Sequence, residues 1–147
     1  MDNIVFNDPE HGDAIARAAG TRFIPYVDIS IGRVRDDDLL GGVVFNNYTK
    51  ESIEIHSASF DDHWGSRDLI YVIFDYPFNQ LGVKRLFGRV AEHNERAIRL
   101  NTKLGFKPVA RIDGVYQHGI ACIVMRMDRE DCRFLGITPR RIQSNLH

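Results

Sequence analysis

Cysteine is scarce in this chain. Cys122 and Cys132 are its only two; their spacing is not that of a zinc site, and they read as reduced thiols rather than a disulfide framework. No run is long or apolar enough to cross a bilayer. The N-terminus lacks a basic segment followed by an apolar one, so no secretory signal is expected and the cytoplasm is the expected compartment. Net charge is nearly absent: 19 Lys and Arg against 20 Asp and Glu leave −1, so nothing global demands a nucleic-acid partner. Repeats and low-complexity segments are missing. Nothing near the acidic run Asp36-Asp37-Asp38 completes a metal-ligand set, so it reads as a solvated turn and no metal is expected. What remains is an ordinary globular balance, 147 residues with 44% hydrophobic and 27% charged, enough for one domain with a real core. The expected division is a domain over 1–135 and a tail over 136–147.

In chain order, residues 1–8 allow a short strand. Asp8-Pro9 is a turn that caps a helix from His11 to Ala19, ended by Gly20. Ile24 to Val34 is a mixed apolar segment and a candidate strand. Leu39 to Asn46 is a strand whose Gly41-Gly42 pair marks a bulge or a close backbone approach. In Ser52 to Ser59 the alternation puts Ile53 and Ile55 on one face and Glu54 and His56 on the other. Ser66 is an N-cap for a helix from Arg67 to Gln80 that Pro77 should break near Tyr76. Val109 to Ile112 and Ile120 to Met127 form a closing strand pair around the Gly114–Gly119 turn. Strands and helices in this arrangement make an α+β domain.

The densest pattern lies between them. Val83, Leu86, Phe87 and Val90 make a buried strand. Asn94 caps a helix carrying Ala97, Ile98, Asn101 and Leu104, and Gly105 stops it before Phe106. Together with Tyr76, Phe78, Leu81, Gly82, Arg85 and Lys103, this strand–Asn–helix–Leu-Gly-Phe order resembles the GNAT (Gcn5-related) N-acetyltransferases. Among these it is most similar to the branch that acetylates ribosomal-protein N-termini and to small bacteriophage proteins. The resemblance spans about residues 40–128.

That resemblance implies a mixed, mostly antiparallel sheet with splayed central strands and flanking helices, and acetyl-CoA as the acyl donor. It implies that the pyrophosphate lies on backbone amides at a helix N-terminus, here Trp64, Gly65, Ser66 and Arg67, with one glycine where the family has two. It places carbonyl polarisation on the strand around His56 to Ser59, where Ser57 or Ala58 serves, with Ser59 beside them. Asn94 is the family's asparagine at the pantetheine arm. The position of the family's tyrosine acid is Asn101 here, and nothing in the sequence places Tyr116 as its substitute. Glu54 and His56 share a face beside the implied reaction centre, and both stand as candidate bases.

Three readings follow. The first is an acetyl-CoA-dependent N-acetyltransferase in which an amine of a protein or small molecule attacks directly in a ternary complex. The second is a catalytically idle module of the same fold that binds acyl-CoA or a protein. The third is a nucleic-acid-modifying or -binding protein, suggested by the phage-like resemblance and by Arg111, Arg126, Arg129, Arg133, Arg140 and Arg141. The segment Asp131 to Leu135 either packs back on the domain or mediates a homodimer.

Overall fold

The fold is that of a computed structural model, which describes residues 2–136. The expected tail therefore lies, apart from Gly136, outside the described residues, as do Arg140 and Arg141. Strands β1 (Asp2–Phe6), β2 (Ile29–Arg35), β3 (Asp38–Asn46), β4 (Ser52–Ser59), β5 (Arg85–Ala91), β6 (Lys107–Ile112) and β7 (Cys122–Asp128) alternate with helices α1 (Pro9–Ala19), α2 (Arg67–Asp75) and α3 (Glu95–Leu104). The strands form one sheet in the order β1-β2-β3-β4-β5-β7-β6. Every neighbouring pair is antiparallel except β4 and β5. No helix among the described residues is long and apolar enough to cross a membrane.

Local chemistry sets the helix ends. Asp8 Oδ1 accepts from the amides of Glu10 and His11 at 2.9 and 3.1 Å, Pro9 occupies the first turn where no N–H is needed, and Gly20 closes α1 at φ 79°. Asn94 Oδ1 accepts from Ala97 N at 3.2 Å, and Gly105 ends α3 at φ 113°. Ser66 Oγ accepts from Leu69 N at 3.1 Å. The α-helical turn stops at Asp75, and Tyr76–Gln80 continue as a π-helical turn around Pro77. Asp75 holds that turn with both oxygens, accepting from Asn79 Nδ2 at 2.8 Å and Gln80 Nε2 at 2.9 Å.

The expected strand from Ile24 is shorter. Residues 21–28 form a loop and β2 begins at Ile29. Pro25 gives no ladder donor, Tyr26 sits at φ 67°, and Asp28 Oδ2 takes the Ile24 amide at 2.8 Å, so the segment bonds to itself rather than to a neighbouring strand.

The two sheet faces are covered unequally. On one face α1 lays Ile15 and Ala16 against Val44 of β3, with Phe23, Leu39 and Ala58 around them. On the other, Leu69, Val72, Ile73 and Phe74 of α2 pack on Ile31, Val43, Phe45, Ile53 and Leu86. Asp131 to Leu135 fold back onto this second face. Phe134 stacks on Phe74 at 4.9 Å between ring centroids, and Arg133 Nη2 donates to Lys103 O at 2.5 Å.

The Gly41-Gly42 pair marks close approaches, and a bulge lies beside it: Arg33 opposes Gly41 and Val34 opposes Leu39, so Leu40 of β3 is left without a partner on β2. A β-carbon on Gly41 would stand 2.8 Å from Ala58 O and 2.9 Å from Trp64 Cβ. On Gly42 it would strike the Ile31 carbonyl oxygen and stand 2.9 Å from Gly32 Cα. Because those atoms are backbone and cannot rotate away, Gly42→Ala should lower unfolding free energy by about 1–3 kcal/mol. Urea denaturation checks this; a midpoint equal to that of the parent protein would mean that the strands do not approach this closely.

Candidate active site

The parallel pair β4–β5 is short. Only Ser52, Ile53 and Glu54 face Arg85, Leu86 and Phe87. From Ile55 onward β4 keeps partners on β3 alone, as far as Ser59 opposite Gly41. From Gly88 onward β5 keeps partners on β7 alone. The strands therefore part, and a cavity of about 510 Å³ opens between them. His56 and Ser57 line it from β4, and Gly88 to Ala91 from β5. Leu69, Ile73 and Phe74 of α2 and Ala97, Asn101 and Leu104 of α3 line its one side, and Ala18 to Gly20 at the end of α1 reach it from the other sheet face.

Of the residues singled out in the sequence, His56, Ser57, Trp64, Gly65, Asn94 and Asn101 line this cavity. Ala58, Ser59, Ser66, Arg67 and Glu54 lie outside its lining. Ala58 packs instead with Ile15, Ala16 and Val44 under α1. Ser59 is exposed at the end of β4, Ser66 caps α2, and Arg67 opens α2 with its side chain exposed.

The two candidate bases sit in different surroundings. Glu54 Oε1 pairs with Arg89 Nε at 2.7 Å, and its Oε2 accepts from Asn47 Nδ2. Both carboxylate oxygens are thus already engaged. His56 is 7% exposed. Its Nε2 lies 3.0 Å from Asn46 Oδ1. Burial lowers its pKa below 6.5, and Arg89 adds to that, against the opposing pull of Glu54 and Asp28. The ring is therefore neutral at neutral pH and able to take a proton.

Two contributors carried no sequence signal. Arg33 is one of two arginines in the otherwise largely apolar strand β2, and its side chain crosses to the loop before α2. It donates to His63 O at 2.5 Å and Gly65 O at 3.0 Å, while its Nη2 pairs with Asp2 Oδ2 at 2.5 Å. Arg35 and Arg33 together hold the Asp2 carboxyl well below the usual carboxylate range. The clamp turns the carbonyls of this loop toward β2. The second contributor is Tyr116, which the turn between β6 and β7 carries to the cavity wall. Its hydroxyl donates to Cys122 Sγ at 3.9 Å, and burial first, then that bond, push its pKa up.

The arginines near the end of the described chain are engaged internally. Arg111 pairs with Glu92 and Asp113, and Arg126 with Asp128. Arg129 donates to Phe78 O and Asn79 Oδ1 at 2.5 and 2.7 Å.

No curated protein matches the sequence. Among solved structures, mutant forms of the spermidine/spermine N-acetyltransferase SpeG from Vibrio cholerae superpose with a TM-score of 0.68 over 88% of this chain and 96% of theirs, at 17% identity. The Campylobacter jejuni N-acetyltransferase PseH in complex with acetyl coenzyme A gives 0.54 over 71% and 70%, at 19% identity. These likenesses are of fold. The model of one family, described as acetyltransferase (GNAT) domain, matches residues 5–107. With a match over that much of its length, and with β4 and β5 parted around a lined cavity, the chain belongs to the GNAT acetyltransferase family.

Proposed function

We propose that the protein transfers an acetyl group from acetyl-CoA to a primary amine, with both held in one ternary complex. The observation that carries this is the parting of β4 and β5 around a cavity with a buried, neutral His56 on its wall.

The residues present fit a CoA thioester. Gly88 puts no side chain into the gap; the nearest atom to a β-carbon there would be Ile55 O at 3.8 Å. The α2 and α3 walls are apolar apart from Asn101, and the edge of β4 toward β5 is free of a strand partner from Ile55 on. Backbone amides of Gly65, Ser66 and Arg67 at the start of α2 would hold the pyrophosphate, favoured by the helix dipole. Asn94 and Asn101 would face the pantetheine arm. The N–H of Ser57 or Ala58 would polarise the carbonyl. When bound, acetyl-CoA supplies an acetyl group activated as a thioester, which an attacking amine converts to an amide with release of the thiol. His56 takes the proton from the amine, and Tyr116, kept protonated, is the hydroxyl on the cavity wall suited to returning one to the departing sulfur. Because both reactants are held together, proximity supplies much of the rate and few side chains are needed.

A second reading, an idle acyl-CoA-binding module, is favoured by one observation: α3 offers Asn101 rather than a hydroxyl acid to the cavity. Calorimetric titration with acetyl-CoA and with CoA, followed by an amine panel, separates the two. The panel should hold peptide N-termini, chosen for the ribosomal-protein resemblance, with lysine and spermidine. Micromolar binding weakened by Arg67→Glu, with turnover of a panel amine, supports the enzyme. Binding without turnover of any amine favours the idle module. Absence of binding to either nucleotide overturns both. A nucleic-acid role is not favoured, since Arg111, Arg126, Arg129 and Arg133 are already engaged; binding that weakened steeply with salt would reverse this.

The Arg33 clamp gives a separate expectation. Arg33→Met releases the carbonyls of His63 and Gly65, so the loop no longer presents its amides in one orientation. The KM for acetyl-CoA should rise about tenfold, or ~1.4 kcal/mol, with kcat within about twofold. Steady-state kinetics at saturating amine measures this. An equal fall in kcat with KM unmoved would place Arg33 in the chemical step instead.

A further inference from the structure

We propose that Asn46 is a positioning residue that fixes the tautomer of His56, holding the ring proton on Nε2 and leaving Nδ1 as the proton acceptor. This rests on the reading of His56 as the base.

The contact lies across the β3–β4 ladder. Asn46 opposes Glu54 and Val44 opposes His56, so the Asn46 amide and the imidazole share the sheet face under α1. Asn46 Oδ1 stands 3.0 Å from His56 Nε2. A carbonyl oxygen only accepts, so Nε2 carries the proton and Nδ1 keeps its lone pair. The amide is oriented from its other end, where Asn46 Nδ2 donates to Thr21 Oγ1 at 3.4 Å. Thr21 is itself tied to the end of α1 by its amide, which donates to Ala16 O at 2.9 Å. Three elements thus meet: the close of α1, the last residue of β3, and the middle of β4. The ring is more than nine-tenths buried and lines the cavity, and its contact with Asn46 is made through Nε2. The charged groups facing it are Glu54 on its own strand, Arg89 on β5 and Asp28 before β2. The end of α1 brings Ala18, Ala19 and Gly20, none of them charged, to the same cavity wall. None of these charged groups bonds the ring, so its tautomer falls to Asn46.

Two variants and one spectroscopic readout test this. Nitrogen-15 shifts of the His56 ring report the tautomer without any turnover, so the result stands apart from whether the acetyltransferase reading survives. The parent protein should show the Nε2–H form. Asn46→Leu should shift the ring toward a mixture. It should also lower kcat by up to about 100-fold, the low end of what a general base supplies, with the KM for acetyl-CoA unchanged. Asn46→Asp should keep the Nε2–H form and move the acid limb of the kcat profile to higher pH, because a carboxylate on the ring favours imidazolium. A residue that only held β3 in place would move neither the tautomer nor the limb. An Nδ1–H ring in the parent protein overturns the proposal by itself, even if Asn46→Leu does not fold. So does a ring unaltered in Asn46→Leu. If the tautomers are as expected but no amine is acetylated by any form, the positioning role holds and the assignment of function fails.

Discussion

His56→Gln should lower kcat by about 10²- to 10⁴-fold, the span a positioned general base contributes, and leave acetyl-CoA affinity nearly unchanged. Glutamine has a similar length and can still donate to Asn46 Oδ1, so the sheet under α1 keeps its packing while the proton acceptor is lost. The pH profile adds a second check. Burial holds the His56 pKa below 6.5, so the acid limb of kcat in the parent protein should lie below pH 6.5 and vanish in His56→Gln. Glu54→Gln should behave differently, because Glu54 is already paired with Arg89 and Asn47 and lies outside the cavity lining. Full kcat in His56→Gln on an accepted amine would remove His56 from the chemistry.

The same lowered pKa has a consequence for stability, of determinate sign. Between the folded pKa and the unfolded value near 6.5, the unfolded chain binds the proton and the folded chain does not. Stability therefore rises with pH across that window. The contribution is fully present above pH 6.5 and is lost as pH falls toward the folded value. Urea midpoints taken on either side of the window should drop more in the parent protein than in His56→Gln.

Much of this site was legible because its parts are local. The β4 boundaries follow from alternation between Ser52 and Ser59, and Asn94 and Gly105 act on their own helix within a turn. Pro77 breaks its helix by removing its own N–H. What escaped is non-local or competes with a local pattern. Ile24 to Asp28 is apolar enough to read as strand, yet the Asp28 carboxylate captures the Ile24 amide and turns the chain. The family resemblance gave the splay, but which residues it exposes depends on where the β4–β5 pairing stops, at Glu54 and Phe87, and no window of sequence contains both strands. Arg33 looks like any strand arginine until the loop holding Gly65 is seen above it. Asn46 looks like the start of a turn until His56 is seen beside it. Glu54 and His56 were equal candidates by alternation alone; Arg89, thirty-odd residues on, separates them by engaging one of the two.

Gly88 offers the sharpest separation of binding from folding. It sits where β5 leaves β4, and a side chain there would lie on the same face as Leu86 and Val90, which join the core under α2, and so within the cavity that Gly88 lines. Its backbone needs no positive φ, and no atom stands closer to a β-carbon than 3.8 Å. Gly88→Val should therefore fold at least as well as the parent, since a β-branched residue suits a strand better than glycine does. Its methyl groups would occupy space reserved for the acyl-carrying arm. Overpacking of that kind costs about 1–3 kcal/mol, which is roughly 5- to 150-fold in acetyl-CoA affinity. Gly88→Leu, which reaches further, should stand at the upper end. Calorimetric titration gives the affinity and thermal unfolding gives the Tm. An unchanged affinity with an unchanged Tm would mean that the donor lies elsewhere than in the gap between β4 and β5. A reduced Tm with the affinity intact would mean that the new side chain strains the fold instead of entering the gap.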